Sequence, residues 1–168
     1  MSGSDLFVAN YFNGTIGEYT TSGGTVNVAL ISGLDEPTGI AVSGSDLFVV
    51  NELGHTIGEY TTSGTTVNDS LITGLEEPSG IAVSGSDLFV TSSNSGTNGD
   101  GTVSEYTTSG ATVNASLISG LNNPAGIVVT SAVATPLPAA VWPGLLTLAG
   151  VAMAGGLRKL RQRNIDAH

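Results

Sequence analysis

The chain repeats itself. Gly3-Ser4-Asp5-Leu6-Phe7-Val8 returns at Gly44 to Val49 and again at Gly85 to Val90, a spacing of 41 residues both times. Glu18-Tyr19-Thr20-Thr21-Ser22-Gly23 returns at Glu59 to Gly64 and at Glu105 to Gly110. Gly33-Leu34-Asp35-Glu36-Pro37 returns as Gly74-Leu75-Glu76-Glu77-Pro78 and as Gly120-Leu121-Asn122-Asn123-Pro124. The last step of these two series is 46, so five residues are inserted between Val90 and Glu105, within the loop-like Ser92 to Gly101. A period of this length requires one supersecondary unit that buries its faces against copies of itself.

The second unit shows the internal plan. Gly39 to Val42, Asp46 to Asn51, Thr56 to Thr61 and Thr66 to Ile72 are short β-branched and apolar runs separated by Gly- and Ser-rich turns. Leu47-Phe48-Val49-Val50 is apolar without alternation, as expected of a strand covered on both faces. Four short antiparallel strands in about 41 residues is the pattern of a β-propeller blade, with a β-solenoid or sandwich as the rival. The expected fold is all-β: a propeller-like array of about three four-stranded blades, a fragment of a larger propeller. Units fall at about residues 1–37, 38–78 and 79–124, followed by one more first strand at 125–130.

These residues resemble NHL-repeat propellers. Pro37-Thr38-Gly39-Ile40-Ala41-Val42, Pro78 to Val83 and Pro124 to Val129 carry that family's Pro-x-Gly-Ile-Ala-Val segment, with Val128 replacing Ala in the third. Leu6 to Asn10, Leu47 to Asn51, Tyr19, Tyr60 and Tyr106 match the strands that follow. The resemblance covers roughly residues 1–130 and implies the fold and a binding role. The family's enzymatic members use His-rich metal sites in the channel, which this chain lacks.

The blade count needs explaining. The chain opens at the second strand of a unit and, at 125–130, ends the array on a first strand. If that strand pairs beside Leu6–Asn10, three blades could close, fewer than the usual four to eight. Missing upstream blades are the favoured expectation. Assembly of two chains, a self-association that completes a propeller, and an open curved array are the alternatives.

The C-terminus carries a second signal. Nineteen residues from Ala139 to Leu157 contain no charge. As a helix they would span about 28 Å, close to the ~30 Å hydrocarbon core of a bilayer. Arg158, Lys159, Arg161 and Arg163 follow and are all the basic residues of the chain apart from histidine. The positive-inside rule then leaves the C-terminus in the cytoplasm and the repeats outside. Residues 139–157 are thus expected to form a transmembrane helix, 158–168 a basic cytoplasmic tail, and 131–138 the linker before them.

The tail resembles the PEP-CTERM family of sorting signals in its Val-Pro-Leu-Pro-Ala variant. Thr135 stands where the variant usually has Val, and Pro136, Leu137, Pro138 and Ala139 match, as do Ala140, Val141 and Trp142. The resemblance implies recognition by an exosortase-like membrane enzyme, cleavage near the motif, and delivery to the bacterial cell surface or the extracellular space. Two features depart from the pattern. Asn164 to His168 extend past the basic cluster, and Met1 to Asp5 lack a secretory signal, so a truncated start is expected.

Charge narrows the function classes. With Asp166 in the tail, residues 1–157 hold thirteen of the fourteen acidic residues against no Lys or Arg. Such a surface is repelled by phosphate backbones, so no nucleic-acid partner is expected. No Cys is present, which removes disulfides, thiolate metal sites and Cys nucleophiles.

No catalytic, cofactor or metal site is expected. His55 is the sole His of the repeats and lies in an unmatched turn. Asp35-Glu36 and Glu76-Glu77 read as solvated turns, replaced by Asn122-Asn123 in the third unit. Asp5, Asp46 and Asp87 are expected to cap hairpin turns. Asn98 to Gly101 resembles a calcium loop in composition alone, a weak opening for Ca²⁺. Asn13, Asn68 and Asn114 begin glycosylation sequons of the kind that Asn- and Ser-rich turns produce by chance. Two functions fit: a non-catalytic exported propeller that binds or scaffolds envelope polysaccharide or protein, or a truncated propeller enzyme of lyase or lactonase type.

Overall fold

The computed structural model describes residues 5–93 and 100–130. The chain divides into residues 1–131 and 132–168, and all that follows concerns the first unit. The expected transmembrane helix, the Thr135–Ala139 motif and the basic cluster lie outside the described residues. Among those described, no helix is long and apolar enough to cross a membrane.

The described residues form eleven strands in three antiparallel sheets. The first sheet has three: β1 (Asp5–Asn10), β2 (Thr15–Thr20) and β3 (Thr25–Ser32), with a short 3₁₀ turn at Tyr11–Asn13. The second has four, in the order β4 (Pro37–Ser43), β5 (Asp46–Asn51), β6 (Thr56–Thr61) and β7 (Thr66–Thr73). The third repeats it with β8 (Pro78–Ser84), β9 (Asp87–Ser92), β10 (Gly101–Thr107) and β11 (Thr112–Leu121). Each strand pairs with the next in sequence, the up-and-down order that a 41-residue unit of short strands predicts. In the second unit β5, β6 and β7 open where expected, β4 opens two residues earlier at Pro37 rather than Gly39, and β11 is longer than its counterparts.

The register is the same in every sheet. Val42 lies opposite Leu47 and Ala41 opposite Phe48, as Val83 lies opposite Leu88 and Ala82 opposite Phe89. The outer pairs carry a register shift in all three sheets. Its cause is local: Asn27, Asn68 and Asn114 each accept, through Oδ1, the backbone N–H two residues on, at 3.1, 3.2 and 3.1 Å. This side-chain-to-backbone bond competes with the ladder and bulges the strand. It accounts for the Asn of the Asn68 and Asn114 sequons, because Asn27 does the same without being one.

The core lies between sheets, not within them. Ile16 and Ile31 of the first sheet pack with Leu47, Val49 and Tyr60 of the second. Phe48, Val50, Ile57 and Ile72 on the opposite face of the second sheet pack with Ile81, Leu88, Val90 and Tyr106 of the third. Alternating residues of one strand therefore serve two interfaces, which explains the unbroken apolar run at Leu47–Val50. The inner strands β4 and β8 lie side by side, and β1 of the first sheet contacts β4. Gly39 is required there: a Cβ would meet the Ser79 carbonyl oxygen at 2.9 Å.

One expectation needs correction. Residues 125–130 pair with no strand and form none, and β1 pairs with β2 alone, so the chain does not close its three blades on itself. Ser79 nonetheless donates a 2.6 Å hydrogen bond to the Pro124 carbonyl, and a Cβ on Gly80 would meet the Ala125 carbonyl oxygen at 2.8 Å. The segment thus starts in the place of the next inner strand after β8. Among the described residues it has no strand partner.

Candidate functional site

The loops leaving β1 and β5 meet the loop entering β4 at one end of the sheets, where Tyr11-Phe12 stands in place of the second unit's Glu52-Leu53. The backbone sets the frame. Glu36, Glu77 and Asn123 adopt φ of 53°, 43° and 49° just before Pro37, Pro78 and Pro124. The Glu36 carbonyl accepts the Glu52 N–H at 3.1 Å, as the Glu77 carbonyl accepts the Ser93 N–H at 3.1 Å. Left-handed backbone at a non-glycine residue costs energy, and here neighbouring sheets hold it in place.

The Tyr11 phenol donates to Glu36 Oε2 at 2.6 Å, joining the first unit to the second. This bond, partial burial and the negative charges of Glu36 and Glu52 push the Tyr11 pKa up to about 12. Phe12 stacks edge-on against the Tyr11 ring at 5.0 Å and is 93% exposed. Leu53, its counterpart in the second unit, is also exposed. The carboxylate of Asp35 lies beside Gly54. The result is an acidic rim carrying an aromatic ring, open to solvent and, among the described residues, without Lys or Arg.

Asp35-Glu36 therefore differs from the expected solvated turn, because Glu36 is half-buried and bonded. His55 fits its expected role: it is exposed, and its backbone at φ 55° takes the place of Gly14 at φ 61°. Its carbonyl accepts the Leu75 N–H at 3.1 Å, as the Gly14 carbonyl accepts that of Leu34 at 3.0 Å. Asp46 and Asp87 accept hydrogen bonds from the preceding Ser45 and Ser86 hydroxyls at 3.3 and 3.4 Å. They support the turn through the serine and cap no backbone N–H.

At the inner end, Ser79, Thr91 and the Gly80 N–H form a hydroxyl-centred group, with Thr91 Oγ1 at 3.0 Å from Ser79 Oγ and 2.8 Å from the Gly80 nitrogen. In the second unit Thr38 Oγ1 and Asn51 Oδ1 are buried without a hydrogen-bond partner. Among the described residues no group of three His, Cys, Asp or Glu side chains could hold a metal ion. These hydroxyls and amides can donate and accept hydrogen bonds. The reading of the sequence missed Tyr11 and Phe12. The available signal was their departure from the repeat, since Tyr11-Phe12 stands where the second unit has Glu52-Leu53.

Three stacked up-and-down sheets, one of three strands and two of four, with their cores between them, define a partial β-propeller. Comparison with solved structures agrees. A streptogramin B lyase matches with a TM-score of 0.57 and 23% identity, over 74% of this chain and 41% of the lyase. The structure of a nidogen/laminin complex matches with 0.59 and 19%, over 74% of this chain and 48% of the other. A catalytically inactive virginiamycin B lyase from Staphylococcus aureus, with quinupristin, matches with 0.57 and 27%, over 75% and 43%. The likeness is one of fold, and the chain spans less than half the length of each. No family model matches the chain. No curated protein matches it.

Proposed function

We propose that this chain is an exported, surface-sorted, non-catalytic propeller that binds or scaffolds cell-envelope or extracellular-matrix material. Its tail is processed by an exosortase-like membrane enzyme at Thr135–Ala139. The observation that carries this reading is the arrangement of the C-terminus: a proline motif, nineteen uncharged residues and then Arg158, Lys159, Arg161 and Arg163, with no Lys or Arg anywhere before them. Charge asymmetry of this kind has a topological explanation and no packing one. Near-identical repeats support a binding role, because catalysis needs different groups from different blades at one centre. The rim around Phe12 and Glu36 suits a neutral or cationic polymer, since an aromatic face offers stacking and the carboxylates repel anions.

The test is fractionation of cells that make the chain tagged within the repeats, with intact mass on the released product. A surface or soluble species ending near Pro136–Ala139 is expected. Uncleaved protein confined to the inner membrane would overturn sorting and leave a plain anchor.

The fold likeness to streptogramin-type lyases supports a second reading, a truncated propeller enzyme. Turnover of a streptogramin by the purified chain, abolished by a chelator, would favour it over the first.

A further inference from the structure

Asn27, Asn68 and Asn114 occupy one position of the repeat and hold the same turn, each accepting through Oδ1 the N–H two residues on. That next-but-one residue is Ala29 in the first unit, Ser70 in the second and Ser116 in the third. The turn uses only its backbone, so Ala29 serves as well as serine. The fold therefore accounts for the asparagines and leaves the two serine hydroxyls unexplained. With them, Asn68-Asp69-Ser70 and Asn114-Ala115-Ser116 are sequons, which Asn27-Val28-Ala29 is not.

Their setting is that of an acceptor. All six residues are exposed, on β7 and β11, the outermost strands of their sheets. This exposure belongs to the position and not to the ends of the array. Val26, Val67 and Val113, one residue earlier in each unit, are 53%, 55% and 54% exposed, although the second unit has a sheet packed on either side. In a carboxamide the oxygen and nitrogen take opposite branches, so holding Oδ1 against the backbone turns Nδ2 away from it. Neither Nδ2 donates to another described residue. Asn13-Gly14-Thr15 is the remaining sequon and lacks this setting. Thr15 is fixed in β2 opposite Asn10, and its Oγ1 already accepts the Asn10 Nδ2 at 3.1 Å.

We infer that Asn68 and Asn114 are glycosylation acceptors and that Asn13 is not. Nδ2 attacks the anomeric carbon of a sugar activated as a glycosyl diphosphate. The carbon–nitrogen bond forms and the bond from that carbon to the diphosphate oxygen breaks. The diphosphate leaves with the electron pair, and the Nδ2 proton passes to a base of the transferring enzyme. An outermost strand presents unpaired backbone groups that invite pairing with other chains. A sugar at the bulge of β7 or β11 blocks that edge. The donor is anionic, so Asp69 slows transfer to Asn68 relative to Asn114, whose neighbour is Ala115. The inference is independent of how the tail is processed, because both acceptors are exposed in the folded chain on either side of a membrane.

The test treats the folded full-length chain with a soluble, sequon-reading N-glycosyltransferase and UDP-glucose, and maps the product by peptide mass. Hexose is expected on Asn114 and, more slowly, on Asn68, and not on Asn13. Ser70→Ala and Ser116→Ala should each lose the sugar at their own site while leaving the far-ultraviolet circular dichroism unchanged, since Ala29 holds the same turn. Ala29→Ser should gain a sugar on Asn27. Washed membranes of the producing cells should modify the same two residues, unaided if the donor is lipid-linked and only with added nucleotide sugar if it is not. Transfer in neither case overturns the inference. So does sugar on Asn13 as fast as on Asn114, sugar retained on Asn68 in Ser70→Ala, or an Asn27 left bare in Ala29→Ser.

Discussion

Gly39 faces the carbonyl of Ser79 so closely that a single added methyl group would sit 2.9 Å from the oxygen. Val50 and the backbone nitrogen of Ile81 close the other sides at 3.0 and 3.2 Å. The Pro-x-Gly segment is therefore a packing device: adjacent inner strands approach to backbone distance, and only glycine leaves room. Gly39→Ala should destabilise the chain by about 1–3 kcal/mol, the usual cost of overpacking. Gly126→Ala, the same change at an open position, should cost less than about 0.5 kcal/mol in the single chain. Urea unfolding of the two variants side by side checks the pair.

A second matched pair tests where the core lies. Leu47 is fully buried between the first two sheets and Leu6 is not. Leu47→Ala removes buried apolar volume and leaves a cavity, for an expected loss of about 2–5 kcal/mol. Leu6→Ala should cost under about 1 kcal/mol, because the side chain is already half in water. Equal losses would mean that the two sheets bury these faces alike.

How far the sequence disclosed this depends on whether a property repeats. The strand Asp46–Asn51 and the Pro37 to Val42 segment recur with fixed spacing, and the structure keeps their bounds and register. The unbroken apolar run Leu47–Val50 indicated burial on both faces, which the two clusters on either side of the second sheet bear out. The link between Tyr11 and Glu36 was not legible. It joins residues 25 apart in two different units, and nothing in a local pattern reports the loop geometry that brings them together. Exposure was also illegible, because Leu6 and Leu47 sit in identical words and differ only in whether a neighbouring sheet is present.

Glu36 holds the Tyr11 proton by hydrogen bond and charge. Glu36→Gln should therefore lower the Tyr11 pKa from about 12 toward the ordinary value near 10. The phenol donates, so its bond to Glu36 is present below the raised pKa and lost as pH climbs through it. Ultraviolet difference titration of the tyrosines should show one group moving to lower pH in Glu36→Gln and vanishing in Tyr11→Phe. Unchanged curves in both variants would contradict the pairing.

Burial, and then the nearby charge of Asp46, raise the Glu59 pKa above the ordinary carboxylate value. The sign follows from linkage. A carboxylate whose folded pKa exceeds its unfolded one binds protons more readily when folded, so its ionisation costs stability as pH rises through that range. Glu59→Gln removes the cost, and should raise the melting temperature at pH 7 while changing little near pH 3, where the carboxyl is already neutral. The gain should stay below about 1 kcal/mol, because the group is partly solvated and screened. Asp46→Asn, which removes only the neighbouring charge, should give a smaller gain in the same direction. Calorimetry of the three chains between pH 3 and pH 8 separates burial from charge: if Asp46→Asn matches Glu59→Gln, the charge dominates and the assigned order of causes is wrong.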